Sequence, residues 1–81
     1  MLDPVKDAND AHYGISEIGT KIDGATNNPF PNFWTILFTT PFVFNSKYAV
    51  QVGISMAAGN NGKLAVRTKD NGNWCDWNII S

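Results

Sequence analysis

The stretch from Gly62 to Ile80 reads G-K-L-A-V-R-T-K-D-N-G-N-W-C-D-W-N-I-I, and its pattern decides the fold class. Two apolar-rich runs flank the cluster Lys69-Asp70-Asn71-Gly72-Asn73. In the first run Leu64, Val66 and Thr68 fall on one face at period two, with Lys63, Ala65 and Arg67 on the other. In the second, Cys75, Trp77 and Ile79 alternate with Trp74, Asp76, Asn78 and Ile80. Period two is the repeat of a strand, because successive Cβ atoms leave opposite sides of the pleat. A five-residue connection containing Asn-Gly suits a hairpin with a longer loop or a bulge, since Gly72 takes φ > 0 at little steric cost. The chain is therefore predicted to close with a β-hairpin.

The same period runs upstream. Tyr48, Val50, Val52, Ile54 and Met56 alternate with Ala49, Gln51, Gly53 and Ser55. The small residues of that second face would let another backbone approach closely, which suits a subunit interface. Before it, Asn32 to Phe44 is apolar on both faces. Trp34, Ile36 and Phe38 lie on one, Phe33, Thr35, Leu37 and Thr39 on the other, as in a strand buried on both sides. Pro41 is expected to end the pairing or move it to an edge, with a turn at Asn45-Ser46 and another over residues 57–62. His12 to Ile18 reads as a weak strand with Tyr13, Ile15 and Ile18 inward. Gly19 to Pro31 is loop, of the kind that is functional or pinned to a partner. Residues 1–11 are expected to be a linker or collar with a short helix capped at Asp3-Pro4, and residues 12–81 the β domain. Four or five strands joined by Gly/Asn turns predict a small, all-β antiparallel sandwich or barrel. Its core is expected to hold Trp34, Val50, Val52, Ile54, Leu64, Val66 and Trp77.

A chain of 81 residues hides only about 60–65% of its unfolded surface, so its core is marginal without a supplement. Cys75 is the single cysteine and His12 the single histidine, so neither an intrachain disulfide nor a Cys/His zinc site is available. Phe30, Phe33, Trp34, Phe38, Phe42 and Phe44 crowd into one short stretch, more apolar surface than a small monomer easily covers. Self-association is the expected supplement. With a net charge of −1 and no basic stripe, nucleic acid is not an expected partner. No apolar run approaches the length of a membrane-spanning helix, and no signal-peptide core is visible. Release on lysis, as for virion components, or retention in the cytoplasm would both fit.

The catalytic inventory is thin. His12 lies in the polar N-terminal region, no G-x-S-x-G elbow is present, and neither a phosphate loop nor a calcium loop occurs. Cys75, between two tryptophans, reads as a buried structural thiol. Asp70 and Asp76, or Asp10 and Asp23 brought near by assembly, are carboxylates whose proximity chance would supply. No enzyme activity and no cofactor are expected. Binding has better material. Apolar sugar faces stack on aromatic rings, and Trp also carries a polar handle. Trp74 and Trp77 are three apart and so should face opposite ways. Trp77, in phase with Cys75 and Ile79, belongs to the core. Trp74 is the exposed residue, for ligand stacking or for packing at a subunit interface. Asp70, Asn71, Asn73 and Arg67 complete the candidate contacts, unless Arg67 stacks on a tryptophan or pairs with Asp76.

The piece K-L-A-V-R-T-K-D-N-G-N-W-C-D-W-N-I-I, together with I-D-G-A-T-N-N-P from Ile22 to Pro29, resembles the C-terminal knob domains of bacteriophage tail fibres and R-type pyocin fibres. The resemblance implies a homotrimeric knob in a virion fibre that attaches to a bacterial cell-surface polysaccharide or other receptor without inserting into the membrane. In that family the Arg and the Trp pair look architectural. A purely structural trimerisation knob and a carbohydrate-binding appendage of a larger depolymerase are the competing expectations.

Overall fold

The computed structural model describes residues 3–55 and 62–80, so Met56 and all but Gly62 of the expected turn over 57–62 lie outside the described residues. Within them the strands are β1 (Asp3–Val5), β2 (Gly14–Ile18), β3 (Thr35–Phe42), β4 (Asn45–Ser55), β5 (Lys63–Asp70), β6 (Asn73–Trp74) and β7 (Asn78–Ile79). They form one sheet in the order β1-β2-β3-β4-β5-β6, with β7 also paired to β5. β1 runs parallel to β2 and every other pair is antiparallel. The chain is a small all-β domain whose described helical content is two single 3₁₀ turns, Ala8–Asp10 and Lys21–Asp23.

Register decides which side chains share a face. Ile15 pairs with Phe38, Phe38 with Val52, and Val52 with Val66. Glu17, Ile36, Ile54 and Leu64 form the next row on the same side. The opposite side carries Ser16–Leu37–Gly53–Ala65 and Thr39–Gln51–Arg67. It is this second face, with the smaller side chains, that the chain covers. Ser16, Leu37, Ala65 and Gln51 are completely buried there, as is Ala8 from the first 3₁₀ turn. Ile18 and Leu37 pack with Ala8, and Val5, Ala11, Ala25 and Trp77 close around them. The loop between β2 and β3 lies so near the sheet that a Cβ on Gly53 would stand 2.9 Å from Pro29 Cγ. Small residues on β4 thus make room for the chain's own loop, not for a neighbouring subunit.

The expected core is corrected accordingly. Val50, Val52, Leu64 and Val66 are only half-buried and Ile54 is exposed, all on the uncovered face. Alternation separates two faces of a strand but cannot say which one a distant loop will cover. Trp34 is also exposed, resting an edge of its ring against Gly19, whereas Trp77 is half-buried against the core cluster. Tyr13 and Ile15, expected inward, are exposed.

The N-terminal segment enters the sheet. Asp3–Val5 is a strand paired with Ser16–Ile18 rather than a helix start. The helical turn comes later, at Ala8, where the Asp7 carboxylate caps it by accepting from Asn9 N at 2.9 Å. Pro41 stays inside β3 and marks a register shift before Phe42. The chain then turns at Val43-Phe44 instead of Asn45-Ser46, leaving Val43 and Phe44 fully or largely exposed.

Candidate functional site

The terminal hairpin is tighter than its sequence suggests. Asp70 pairs with Asn73 across a turn made of Asn71 (φ 50°) and Gly72 (φ 88°). Two positive φ values in succession define the I′ geometry whose twist matches the flanking strands. Gly72 N donates to Lys47 O at 2.9 Å, holding this turn against β4.

Beyond the turn the ladder carries an extra residue. Lys69 pairs with Trp74, and Cys75 N still donates to Thr68 O at 2.9 Å. The next pair is Val66 with Asn78, so Cys75, Asp76 and Trp77 oppose only Thr68 and Arg67. Such a bulge shifts the side-chain alternation by one place. Trp74 and Trp77 therefore do not face opposite ways: both reach Arg67, whose Cζ lies 4.4 Å from one ring centroid and 4.6 Å from the other. Cys75 is correspondingly exposed, not buried.

Arg67 is 6% exposed. Its Nε donates to Gln51 Oε1 at 2.7 Å, and Gln51 Nε2 donates to Ala8 O at 2.9 Å and Thr39 Oγ1 at 3.0 Å. Burial pushes the guanidinium down to about 10, opposed by the charge of Asp7, so it remains a cation at neutral pH. The carboxylate that Arg67 senses is thus Asp7, not Asp76. Burial alone would raise the Asp7 carboxyl. Hydrogen bonds from the Asn27 side chain and the Asn9 backbone, with the Arg67 charge behind them, bring it below its ordinary value.

The A-T-N-N-P segment is the other half of this clamp. Thr26 N donates to Lys6 O at 2.7 Å and Ala8 N to Thr26 O at 3.1 Å. Asn27, in the left-handed region at φ 61°, gives its Nδ2 proton to Asp7 at 2.7 Å and accepts from Trp77 Nε1 at 2.7 Å. Asn28 is a buried hub. Its Nδ2 donates to Gly19 O and Phe33 O, and its Oδ1 accepts from Phe30 N and Thr35 Oγ1. The loop is pinned, but to its own chain.

Of the candidate contacts, Arg67 lies behind the rings and is structural. Asp70, Asn71 and Asn73 sit exposed at the hairpin turn. Trp74 alone lines a cleft, of about 280 Å³, with Asn9, Asp10, His12, Tyr13 and Lys69. Tyr13 is 56% exposed, and Lys69 Nζ stands 5.4 Å from the Trp74 ring centroid. Of the side chains lining the cleft, that of Thr39 makes a hydrogen bond, accepting from Gln51 Nε2 at 3.0 Å. Among the described residues the side chains of Asn9, Asp10, His12, Tyr13 and Lys69 make none. Two aromatic rings and a set of unengaged donors and acceptors, with Asp10 and Lys69 balancing in charge, suit a hydroxylated, near-neutral ligand: the rings take apolar faces and the polar groups take hydroxyls.

Sequence reasoning reached Trp74 and missed its neighbours. His12 carries no motif to mark it, and Asp10 reads only as a stray carboxylate. The segment between β1 and β2 crosses the covered face, where Gln51 Nε2 donates to Ala8 O, and so comes beside Lys69 and Trp74; no local pattern encodes that approach. Among the described residues no three His, Cys, Asp or Glu side chains are grouped to hold a metal ion, and no helix is long and apolar enough to cross a membrane. Comparison with family models, curated proteins and solved structures finds no match to this chain.

Proposed function

We propose that this chain is a receptor-binding domain at the tip of a phage or phage-like tail fibre, carried in the virion, which attaches non-covalently to a bacterial surface polysaccharide. The observation that carries the reading is the cleft between Tyr13 and Trp74, with its unengaged Asn9, Asp10, His12 and Lys69 side chains. A shallow cleft of this size holds a ligand weakly. Several tethered copies, three in the fibres it resembles, raise adhesion by orders of magnitude without any new contact. The two short pieces that carry the resemblance support the reading further, because they meet: the Trp77 indole donates to the Asn27 carbonyl.

The test is binding of the domain to bacterial cells and to purified capsular and O-antigen polysaccharides, by pull-down and calorimetry. Tyr13→Ala and Asn9→Ala each remove an unengaged side chain and should weaken binding about tenfold, in line with losing one ring contact or one hydrogen bond, with circular dichroism unchanged. Failure of the wild-type domain to bind cells or any polysaccharide refutes the reading. Release of reducing ends from the polysaccharide would instead make the domain part of a depolymerase.

A further inference from the structure

We infer that the uncovered face of the sheet is an interface between copies of this chain, so that the larger apolar residues form a core only on assembly. The face is assembled from four strands. Its central row, Ile15–Phe38–Val52–Val66, is wholly apolar, and the row beside it has Glu17 at its margin as its one charge. Ile15 is 49% exposed, Phe38 40% and Ile54 41%. These are the positions that a sheet ordinarily turns toward its core.

The apolar face continues past the strand rows. Phe42, Phe44 and Tyr48 adjoin in series toward the β3–β4 turn, with ring centroids 5.6 and 5.7 Å apart, the first pair tilted and the second stacked. Two hollows indent it, about 260 Å³ beside Phe38 and Val50 and about 380 Å³ between Trp34 and Ile54.

The occupant is another copy because of area and chemistry together. Four strands spaced about 4.8 Å apart, each contributing several residues at about 3.3 Å, give on the order of 500 Å² in projection. The accessible area is larger, on the scale of the about 800 Å² per partner that a stable interface buries. A surface with almost no charge has nothing to select a polar partner. A second sheet of the same twist and the same branched side chains packs on it face to face at about 10 Å. The inference rests on the reading of the domain as working in several copies and names the surface that joins them, and it does not depend on what the cleft binds.

The experiment is sedimentation equilibrium of the wild type and of Val52→Lys, with thermal melts over a range of protein concentration. The wild type should sediment as a multiple of the 8.9 kDa chain, with a melting temperature that rises with concentration. Val52→Lys buries an unpaired charge only in the assembly. It should weaken self-association by at least about a hundredfold, leaving a folded single chain with a concentration-independent melt. Ile15→Lys, at a more exposed position of the same row, gives the same answer if Val52→Lys fails to fold. A wild type that stays a single chain overturns the inference, including the case where Val52→Lys then abolishes attachment to cells and shows another occupant. A folded variant with wild-type mass overturns it as well. Absence of polysaccharide binding by an intact assembly would count against the cleft alone.

Discussion

Replacing Gly53 by alanine tests directly which face of the sheet the chain covers. An alanine Cβ there would meet Pro29 Cγ at 2.9 Å, Thr35 Cγ2 at 3.3 Å and Leu37 Cδ2 at 3.6 Å. The Pro29 ring cannot swing aside freely, because Asn28 next to it is fixed by bonds to Gly19, Phe30, Phe33 and Thr35. Overpacking of this kind costs about 1–3 kcal/mol. Alanine also gives back about 0.5–1 kcal/mol, since glycine loses more freedom on entering a strand. Taken at the middle of each range the steric cost wins, for a net loss of about 1 kcal/mol. At about 4–8 °C per kcal/mol for a domain of this size, the melting temperature should fall by roughly 4–8 °C. Thermal circular dichroism at fixed concentration measures it, and Pro29→Ala combined with Gly53→Ala should recover part of the loss, as coupled neighbours do. A Gly53→Ala protein as stable as wild type, or one whose defect is a changed oligomer mass with an unchanged single-chain melt, would refute the placement of the loop on this face.

Arg67→Ala opens a gap between the Trp74 and Trp77 rings and leaves Gln51 Oε1 without its donor. Adding the ring contacts to the orphaned acceptor gives a loss of about 2–4 kcal/mol, to be read by urea denaturation alongside a red-shifted tryptophan emission. Asn28→Ala strips partners from four buried or part-buried groups of the β2–β3 loop. It should cost about 2–4 kcal/mol and abolish exchange protection of the Phe30 amide, and a protected Phe30 would contradict the hub. The Asp7 carboxyl titrates below its ordinary 3.8 in the fold. Its stabilisation is therefore present above that value and lost as pH falls through the lower, folded-state one. Asp7→Asn should flatten this acid limb of the stability profile, and an unchanged limb would mean that another carboxylate dominates it.

The candidate site was legible only in part because its residues come from the two ends of the chain. Trp74 and the Asn71-Gly72 turn carry local signals, a ring in a strand beside a positive-φ pair, and these can be found by inspection. The partner residues Asn9, Asp10, His12 and Tyr13 carry none. Arg67 stacking on a tryptophan is legible as one alternative, whereas the expectation that Trp74 and Trp77 face opposite ways fails for a definite reason. Parity counts positions along a regular strand, and one extra residue between Cys75 and Trp77 resets the count.

By itself the sequence determined that this is a small all-β domain, where β5 and the body of β4 from Tyr48 onward run, and that they form two-sided strands. Those properties follow from the period-two alternation and from Gly/Asn turns, which act within a few residues of one another. Tertiary structure decided which side became the interior. Thr26 and Asn27 bond to Lys6 and Asp7, and Trp77 to Asn27. These contacts between remote segments draw the N-terminal turn and the β2–β3 loop over the small-residue face and leave Phe38, Val52 and Ile54 outward. Burial is a property of what lies across from a side chain, and nothing in a strand's own pattern records that.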